Sequence, residues 1–294
     1  MKIFRTFPSI SCDRAAIGSF DGVHLGHQKL LEGVSAVITF DPLPSLFFHR
    51  IEENRHLLTV SERLEHLQKA GVDVVVLLPF TKDLAEISPE QFLSAMTGAM
   101  RIGTLVMGKD FSIGKNASGT PDILSKIGAA YGFETKVIDD VFVNGEKVSS
   151  TRIRELLLEG NVSAAKGMLG YTYAFENRII HGDARGRTLG YPTVNLQFPA
   201  GKPVLPNGVY ASRITVNEKT YPAVTYVGNR PTFSEKTPGI FTETHLLEGE
   251  NDFYGEEAKI EFIGKIRNEI VFPDAEALTA QIGRDIETAK KLLQ

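Results

Sequence analysis

Gly18-Ser19-Phe20-Asp21-Gly22-Val23-His24-Leu25-Gly26-His27 is the stretch whose reading decides the fold. It grows out of a short apolar run at 15–19 and leads into a helical pattern, which makes it a strand-to-helix turn. Such a turn is a natural seat for phosphate, because a helix start offers unpaired N–H groups and a positive dipole end. Gly22 and Gly26 let the backbone approach a ligand closely. His24 and His27 are three apart and share a face of the helix start. Two imidazoles there can donate hydrogen bonds to phosphate oxygens as charge builds on a leaving group. The histidine pair alone fits an exposed turn or half of a metal site equally well; the specificity lies in the ten-residue string.

Outward from this turn, short apolar runs recur at 36–40, 72–78, 105–107 and 135–138, and the intervening segments carry helix signals. Thr59 with Glu62 forms a capping-box pattern before a helix at 63–70, and Gly71 marks its stop. Ser88-Pro89-Glu90-Gln91 supplies a cap, a first-turn proline and a Gln three residues on, and Thr120-Pro121 repeats the cap-plus-proline device. Strands joined through helices imply parallel pairing in an open α/β sheet, with ligands at the carboxyl ends of the strands.

After Gly167-Met168-Leu169-Gly170 the pattern changes. Residues 209–216 nearly alternate, as a strand with one buried face does. Runs at 173–180, 221–226, 241–246 and 258–263 also read as strands, separated by Gly, Pro and Asn turns. No long helix appears until Ala275–Leu293, which Asp274 can cap. This half reads as a small antiparallel barrel closed by one helix, with the boundary near residue 170.

Bulk properties agree. The 294 residues suffice for two ordinary domains. The formal net charge of −4 argues against a general nucleic-acid binder. Cys12 is the single cysteine, so no intrachain disulfide forms and a reducing, cytoplasmic setting fits. Residues 1–9 do not read as a signal peptide, and no stretch approaches the roughly 20 apolar residues of a membrane helix. The sequence leaves self-association open.

Three further segments carry chemistry. Val148-Ser149-Ser150-Thr151-Arg152-Ile153-Arg154 begins a helix, where hydroxyls either cap or bind phosphate and Arg154 can pair with phosphate through its planar fork. Alone, it is as easily a cap with surface arginines. The run from Gly182 to Asn195, with Gly186 and Gly190 among its glycines and Arg185 and Arg187 between them, suits a loop folding over phosphate. Within it Thr193 and Asn195 point the same way in extended chain, and their oxygens are of the hard kind magnesium accepts. Glu243, in Thr242-Glu243-Thr244-His245, is a candidate general base for phosphoryl transfer to an alcohol. Taken singly, such pieces are more often surface hairpins and solvated strand carboxylates.

These residues carry a resemblance. The first turn resembles the H-x-G-H signature of nucleotidyltransferases, and the Ser150-Thr151-Arg154 string resembles its I-S-S-T-x-x-R partner. The longer G-x-F-D-G-V-H-x-G-H match, and Gly108-Lys109-Asp110-Phe111-Ser112-Ile113-Gly114 beside G-x-D-F-x-F-G, resemble the prokaryotic bifunctional riboflavin kinase/FAD synthetases over essentially the whole chain. Gly190-Tyr191-Pro192-Thr193-Val194-Asn195 is similar to the riboflavin kinase G-x-P-T-A-N segment. Val227-Gly228-Asn229-Arg230-Pro231-Thr232 is similar to I-G-x-R-P-T, Phe253-Tyr254-Gly255 to L-Y-G, and Ile266-Arg267-Asn268-Glu269 to I-R-x-E.

The resemblance implies an α/β nucleotidyltransferase-like, Rossmann-like parallel sheet over 1–168, then a six-stranded antiparallel riboflavin-kinase-like barrel with a C-terminal helix over 169–294. It implies riboflavin phosphorylation to FMN with ATP, then adenylylation of FMN to FAD, with Mg2+ required. His24 and His27, with Gly18, Phe20, Asp21, Gly22, Gly26, Ser150, Thr151 and Arg154, would hold ATP in the first module. Asp110 and Phe111 would seat flavin there. Glu243 would be the kinase base, with Gly186, Gly190, Thr193 and Asn195 toward ATP, Thr193 and Asn195 toward metal, and Arg230 and Arg267 toward flavin. Riboflavin, FMN and ATP are the implied partners, with neither nucleic acid nor membrane. Three departures from the family pattern stand out. Only Gln28 to Ser35 separate His27 from the strand at Ala36, where the family has a longer helix; Leu43 replaces a histidine in Phe40-Asp41-Pro42-Leu43-Pro44; Val194 replaces alanine. The first two leave a narrower alternative open, a riboflavin kinase with a weakened adenylyltransferase half.

Overall fold

The structure is a computed structural model that describes residues 1–48, 55–181, 190–229, 240–249 and 253–294. Gly186, Arg230 and the run 182–189 lie outside the described residues. The chain separates into two compact units, Met1–Ser150 and Thr151–Gln294.

The first unit holds a six-stranded parallel sheet in the order β1-β4-β3-β2-β5-β6. Its strands are β1 (Lys2–Phe4), β2 (Ile10–Ile17), β3 (Ala36–Asp41), β4 (Val74–Pro79), β5 (Met100–Gly108) and β6 (Glu134–Ile138). β3 is buried almost throughout and β4 over most of its length, as a sheet covered on both faces requires. Residues from β2 to β5 converge with Phe92, Leu93 and Met96 of α5 (Pro89–Ala99) and Leu124 of α6 (Pro121–Ala130) in one apolar core. The order steps from β2 to β3 and β4 on one side and resumes at β5 on the other. The crevice between the carboxyl ends of β2 and β5 is therefore the topological switch point.

Helix starts follow the local chemistry. Thr59 and Ser88 each form both bonds of a capping box, opening α3 (Val60–Lys69) and α5. Thr120 precedes α6, but its hydroxyl makes no cap bond, so Pro121 alone presets that first turn. The helix after the opening motif, α1 (Leu25–Leu30), is only six residues long. Leu30, Leu31 and Val34 are nonetheless buried, which docks the short crossover onto the sheet. β1, which the apolar runs do not signal, adds in parallel to β4 at the sheet edge. A two-stranded ladder of β7 (Phe142–Val143) and β8 (Glu146–Lys147) also escapes a pattern reading, being two residues long on each side.

The second unit is a closed antiparallel barrel in the order β10-β13-β12-β11-β14-β9. Its strands are β9 (Ala174–Ile180), β10 (Val194–Gln197), β11 (Gly208–Val216), β12 (Lys219–Asn229), β13 (Ile240–Leu246) and β14 (Glu257–Asn268). Five match the alternating runs; β10, four residues long, is the sixth that closes the ring. Ser212, Thr225 and Thr244 form a buried chain of hydroxyl hydrogen bonds across β11, β12 and β13 (2.7 and 2.9 Å). The C-terminal helix (Ala275–Leu293) starts where Asp274 accepts from the Ala277 N–H at 2.8 Å. It covers the outer face of the barrel over β11, β12 and β14, placing Ala289 and Ile286 against Val209, Ala211 and Val224. Among the described residues, no helix is long and apolar enough to cross a membrane.

Candidate functional site

The site of the first unit is built where β2 and β3 end. Gly18 N–H still donates to Ile38 O at 3.1 Å, so the chain leaves β2 tied to its neighbour. Arg63, buried on α3, donates to Ser19 O at 2.9 Å and Phe40 O at 2.8 Å, and one guanidinium thereby bridges both strand exits. Burial lowers the Arg63 pKa, with Asp21 and Asp41 acting in opposition. Asp21 is buried; its Oδ1 accepts from the Leu57 N–H at 2.9 Å, and its carbonyl accepts from the Ser150 hydroxyl at 2.8 Å. Those bonds place the serine of the second motif directly against the first. Gly22, at φ +87, could not carry a side chain, since a Cβ would stand 2.6 Å from Leu57 Cδ1. Phe20 and Val23 also take positive φ and are held there by near-complete burial.

His24 caps α1: its Nδ1 accepts from the His27 N–H at 3.4 Å. A neutral His24 accepting at Nδ1 carries its proton on Nε2. The two imidazoles stack, with ring centroids 3.7 Å apart and planes at 16°. Gly26 makes room for that stack, as a Cβ would crowd the His24 ring at 3.3 Å. His27 keeps some exposure as a residue, but its Nδ1 is buried and has no hydrogen-bond partner among the described residues. Burial holds the His27 pKa well below the ordinary imidazole value, and repulsion from His24 and Arg63 adds to it. With a helix of six residues the macrodipole is small, so the polar seat here consists of glycine backbone and two histidine rings.

Across the switch point, the loop after β5 carries Asp110 and Phe111. Lys147 of β8 pairs with Asp110 and, at 2.9 Å, with Asp140, which clips the loops after β5 and β6 together. Asp110 is exposed, whereas Phe111 packs partly into the core. Leu43, at the family's histidine position, is buried as the residue preceding α2 (Pro44–Phe47) and makes no side-chain cap bond. Thr151 and Arg154 lie on α7 (Ser150–Leu158), exposed and buried respectively, within the second unit from Thr151 onward.

In the barrel the strand register brings the key residues together. Asn195 of β10 faces Glu243 of β13 directly, and Glu243 faces Tyr226 of β12 on its other side. Thr242 and Thr244 point into the barrel and are fully buried, so Glu243 between them points outward, where it is exposed. Asn195 shares that outer face but is 5% exposed, and its Oδ1 is buried with no hydrogen-bond partner among the described residues. Thr193 lies two residues before it, just ahead of β10. The approach to β10 is pinned where His245 Nδ1 meets Pro192 O at 2.8 Å and where the Tyr191 ring meets the His245 ring edge-on at 5.4 Å. Gly190 turns the chain into this approach at φ +82. Arg267 of β14 does not hold its guanidinium open: Nε and Nη2 both reach Asp285 of the C-terminal helix at 2.9 Å, and the group lies over Phe272 at 5.6 Å.

A buried carbonyl oxygen without a partner fits a hard cation that binds few protein ligands and takes the rest from phosphates and water. Among the described residues, no group of three or more His, Cys, Asp or Glu side chains could hold a metal ion. Two contributors escape sequence reading. Arg63 shows only as one more basic residue on an amphipathic helix, and its signal is its place four residues before buried Leu67. Tyr226 precedes the I-G-x-R-P-T-like segment and becomes a neighbour of Glu243 only through strand pairing.

Comparison with known proteins agrees with this division. A family model described as riboflavin kinase matches residues 169–293, and one described as FAD synthetase matches residues 11–152. A bifunctional riboflavin kinase/FMN adenylyltransferase of Listeria monocytogenes is 34% identical, covering 92% of this chain and 89% of that one. Those of Escherichia coli K12 and Bacillus subtilis are each 35% identical, covering 94% and 93% of this chain and 91% and 90% of theirs. A crystal structure from Streptococcus pneumoniae, named a macrolide-efflux protein, superposes with a TM-score of 0.89 over 98% of both chains at 28% identity. With both family regions present in order and relatives matched over nearly their full length, the chain belongs to the bifunctional riboflavin kinase/FMN adenylyltransferase family.

Proposed function

We propose that this protein phosphorylates riboflavin to FMN in its barrel module, residues 169–294, and adenylylates FMN to FAD in its sheet module, residues 1–168. The observation that carries the first step is the cross-strand pair of Asn195 and Glu243 on one outer face. The riboflavin 5'-hydroxyl attacks the γ-phosphorus of ATP, its proton passes to the Glu243 carboxylate, and ADP leaves. Thr193 and Asn195 would hold Mg2+ through their oxygens, and the ion would neutralise charge on the transferring phosphoryl group. Gly186 and Gly190 would shape the phosphate loop. Arg230 would contact flavin, and Arg267 would shape that site through the strand it anchors to Asp285.

In the sheet module an FMN phosphate oxygen attacks the α-phosphorus of ATP and pyrophosphate leaves, with no covalent enzyme intermediate. Catalysis there is positioning and charge stabilisation. His24 and His27 would contact the ATP phosphates, while Gly18, Phe20, Asp21, Gly22 and Gly26 would shape the turn around them. Ser150 would contact phosphate beside Asp21, Thr151 and Arg154 are the further phosphate candidates that follow it on α7, and Asp110 and Phe111 would flank the flavin. The partners are small molecules rather than nucleic acid or membrane, and the lone cysteine suits the cytoplasm.

A narrower reading keeps the kinase alone, because Leu43 puts an apolar, buried side chain where the family has a histidine. Incubating the pure protein with riboflavin, ATP and Mg2+ and separating the products decides between them: FMN followed by FAD supports the two-step reading, and FMN alone refutes it.

A further inference from the structure

The bond register of β10 and β13 says which side chains on the outer face stand closest. Phe198 N–H donates to Ile240 O at 2.8 Å, in line with the register that sets Asn195 opposite Glu243. Hydrogen-bonded and non-hydrogen-bonded pairs alternate along an antiparallel ladder. Asn195 and Glu243 therefore form a non-hydrogen-bonded pair, the kind with Cα atoms about 4.5 Å apart and side chains in closest approach. Carried two residues further, the same register sets Thr193 opposite His245. The four side chains then form one patch, with Thr193 and Asn195 along one chain segment and Glu243 and His245 along the other.

Thr193 lies ahead of the strand that orders Asn195. β10 begins at Val194, and Pro192 has no N–H with which to extend the ladder toward β13. The described pairing of β10 with β9, on its other side, starts only at Asn195. A side chain takes over where the ladder stops: His245 Nδ1 lies 2.8 Å from Pro192 O. A carbonyl oxygen only accepts, so Nδ1 carries the proton and donates, in the neutral and the charged imidazole alike. The Tyr191 ring packs edge-on against the same imidazole at 5.4 Å. The planar peptide from Pro192 runs to the Cα of Thr193, so fixing its oxygen fixes the plane from which the Thr193 side chain departs.

We propose that His245 is a positioning residue of the phosphoryl-transfer site, which holds the Pro192–Thr193 peptide and so aims the Thr193 hydroxyl toward the cation that Asn195 would hold. The inference rests on the reading of Thr193 and Asn195 as the metal seat. Asn195 is set by strand pairing on both sides, and its Oδ1 is buried. Thr193 has no such frame and depends on the imidazole. Mg2+ demands near-ideal octahedral geometry, so a ligand whose backbone is loose contributes little to its binding. Without the Nδ1–H donor, the seat keeps the Asn195 oxygen and loses the fixed aim of the Thr193 one.

His245→Phe keeps a ring beside Tyr191 and removes the donor; His245→Ala removes both, and a thermal melt identifies which variants are folded. In either, binding of Mn2+ to the ADP-bound protein without riboflavin, followed by electron paramagnetic resonance, should weaken about tenfold, the scale of one net hydrogen bond. The sheet module is the same in every variant, so the change reports the barrel. The Mg2+ concentration that gives half-maximal FMN formation should rise by about the same factor, while the rate at saturating Mg2+ stays within about threefold of the parent. FAD formation from supplied FMN should not change. His245→Asn carries an amide N–H in place of Nδ1–H and should bring both metal readouts back to within about threefold of the parent. Folded donor-less variants that bind Mn2+ as tightly as the parent would overturn the proposal. So would an Asn variant as weak as the Phe one, or a rate loss that saturating Mg2+ does not relieve. Asn195→Ala in the same series keeps the two claims apart. If it binds Mn2+ like the parent, the metal seat itself is misassigned; if it loses Mn2+ while His245→Phe keeps it, only the role of His245 fails.

Discussion

Glu243→Gln separates catalysis from folding more cleanly than any other change in the barrel. The carboxylate is exposed on the outer face of β13, between Thr242 and Thr244, whose side chains face the interior. Gln keeps the shape and leaves those hydroxyls untouched, so stability should move by no more than about 0.5 kcal/mol, as for ordinary surface substitutions. What disappears is the proton acceptor. General-base removal reduces rate by about 10²- to 10⁴-fold, or roughly 3 to 5 kcal/mol of transition-state stabilisation. Riboflavin phosphorylation should therefore fall by that factor with little change in KM for ATP, because Asn195 and the strands around it are intact. FAD formation from supplied FMN should continue at the parental rate, since the sheet module contains none of the altered atoms. The assay is chromatographic separation of riboflavin, FMN and FAD over time, with a thermal melt as the folding control. A folded variant in which both activities dropped equally would refute the division of labour between modules.

Three other outcomes follow from the sheet module. His27→Ala removes one ring of the stacked pair and should slow FAD formation by about 10²-fold while sparing FMN formation; unchanged FAD output in the product assay contradicts its role. Arg63→Met takes a donor from Phe40 O and leaves Ser19 O with only the Thr39 hydroxyl at 3.2 Å, and should destabilise the sheet module by about 2 kcal/mol, read as a lower denaturant midpoint. His27 should also give stability a pH dependence. Its folded pKa is depressed, so the unfolded chain takes up the proton first, and stability should decline as pH falls below about 6.5. His27→Gln should flatten that decline in denaturant titrations, and an identical slope in the variant would contradict the buried, neutral imidazole.

Much of the architecture is legible in local chemistry. The capping boxes at Thr59 and Ser88 and the cap at Asp274 involve residues three apart, which a linear reading captures directly. Thr120 carries the same signal without its cap bond, so the dipeptide marks a helix start but not the interaction behind it. Short elements escape: β1 has three residues and β10 four, too few for a period to register, although each completes its sheet. Of the two sites, the histidine turn is readable because ten consecutive residues build it. The barrel site is only partly so. Asn195 and Glu243 are 48 positions apart in sequence and meet through register, and Pro192 and His245 meet across 53. Arg267 shows the reverse limit: the motif marks the residue, but only the packed helix reveals that its guanidinium is committed to Asp285.

Following the label of ATP into flavin tests the central claim most directly. With riboflavin, Mg2+ and ATP labelled in the γ-phosphate, the account places label in FMN and in the FMN half of FAD. With ATP labelled in the α-phosphate, it places label in FAD only, with pyrophosphate released in equal amount. Flavin that gains γ-label but never α-label would contradict a second, adenylylating site at the mouth of the parallel sheet.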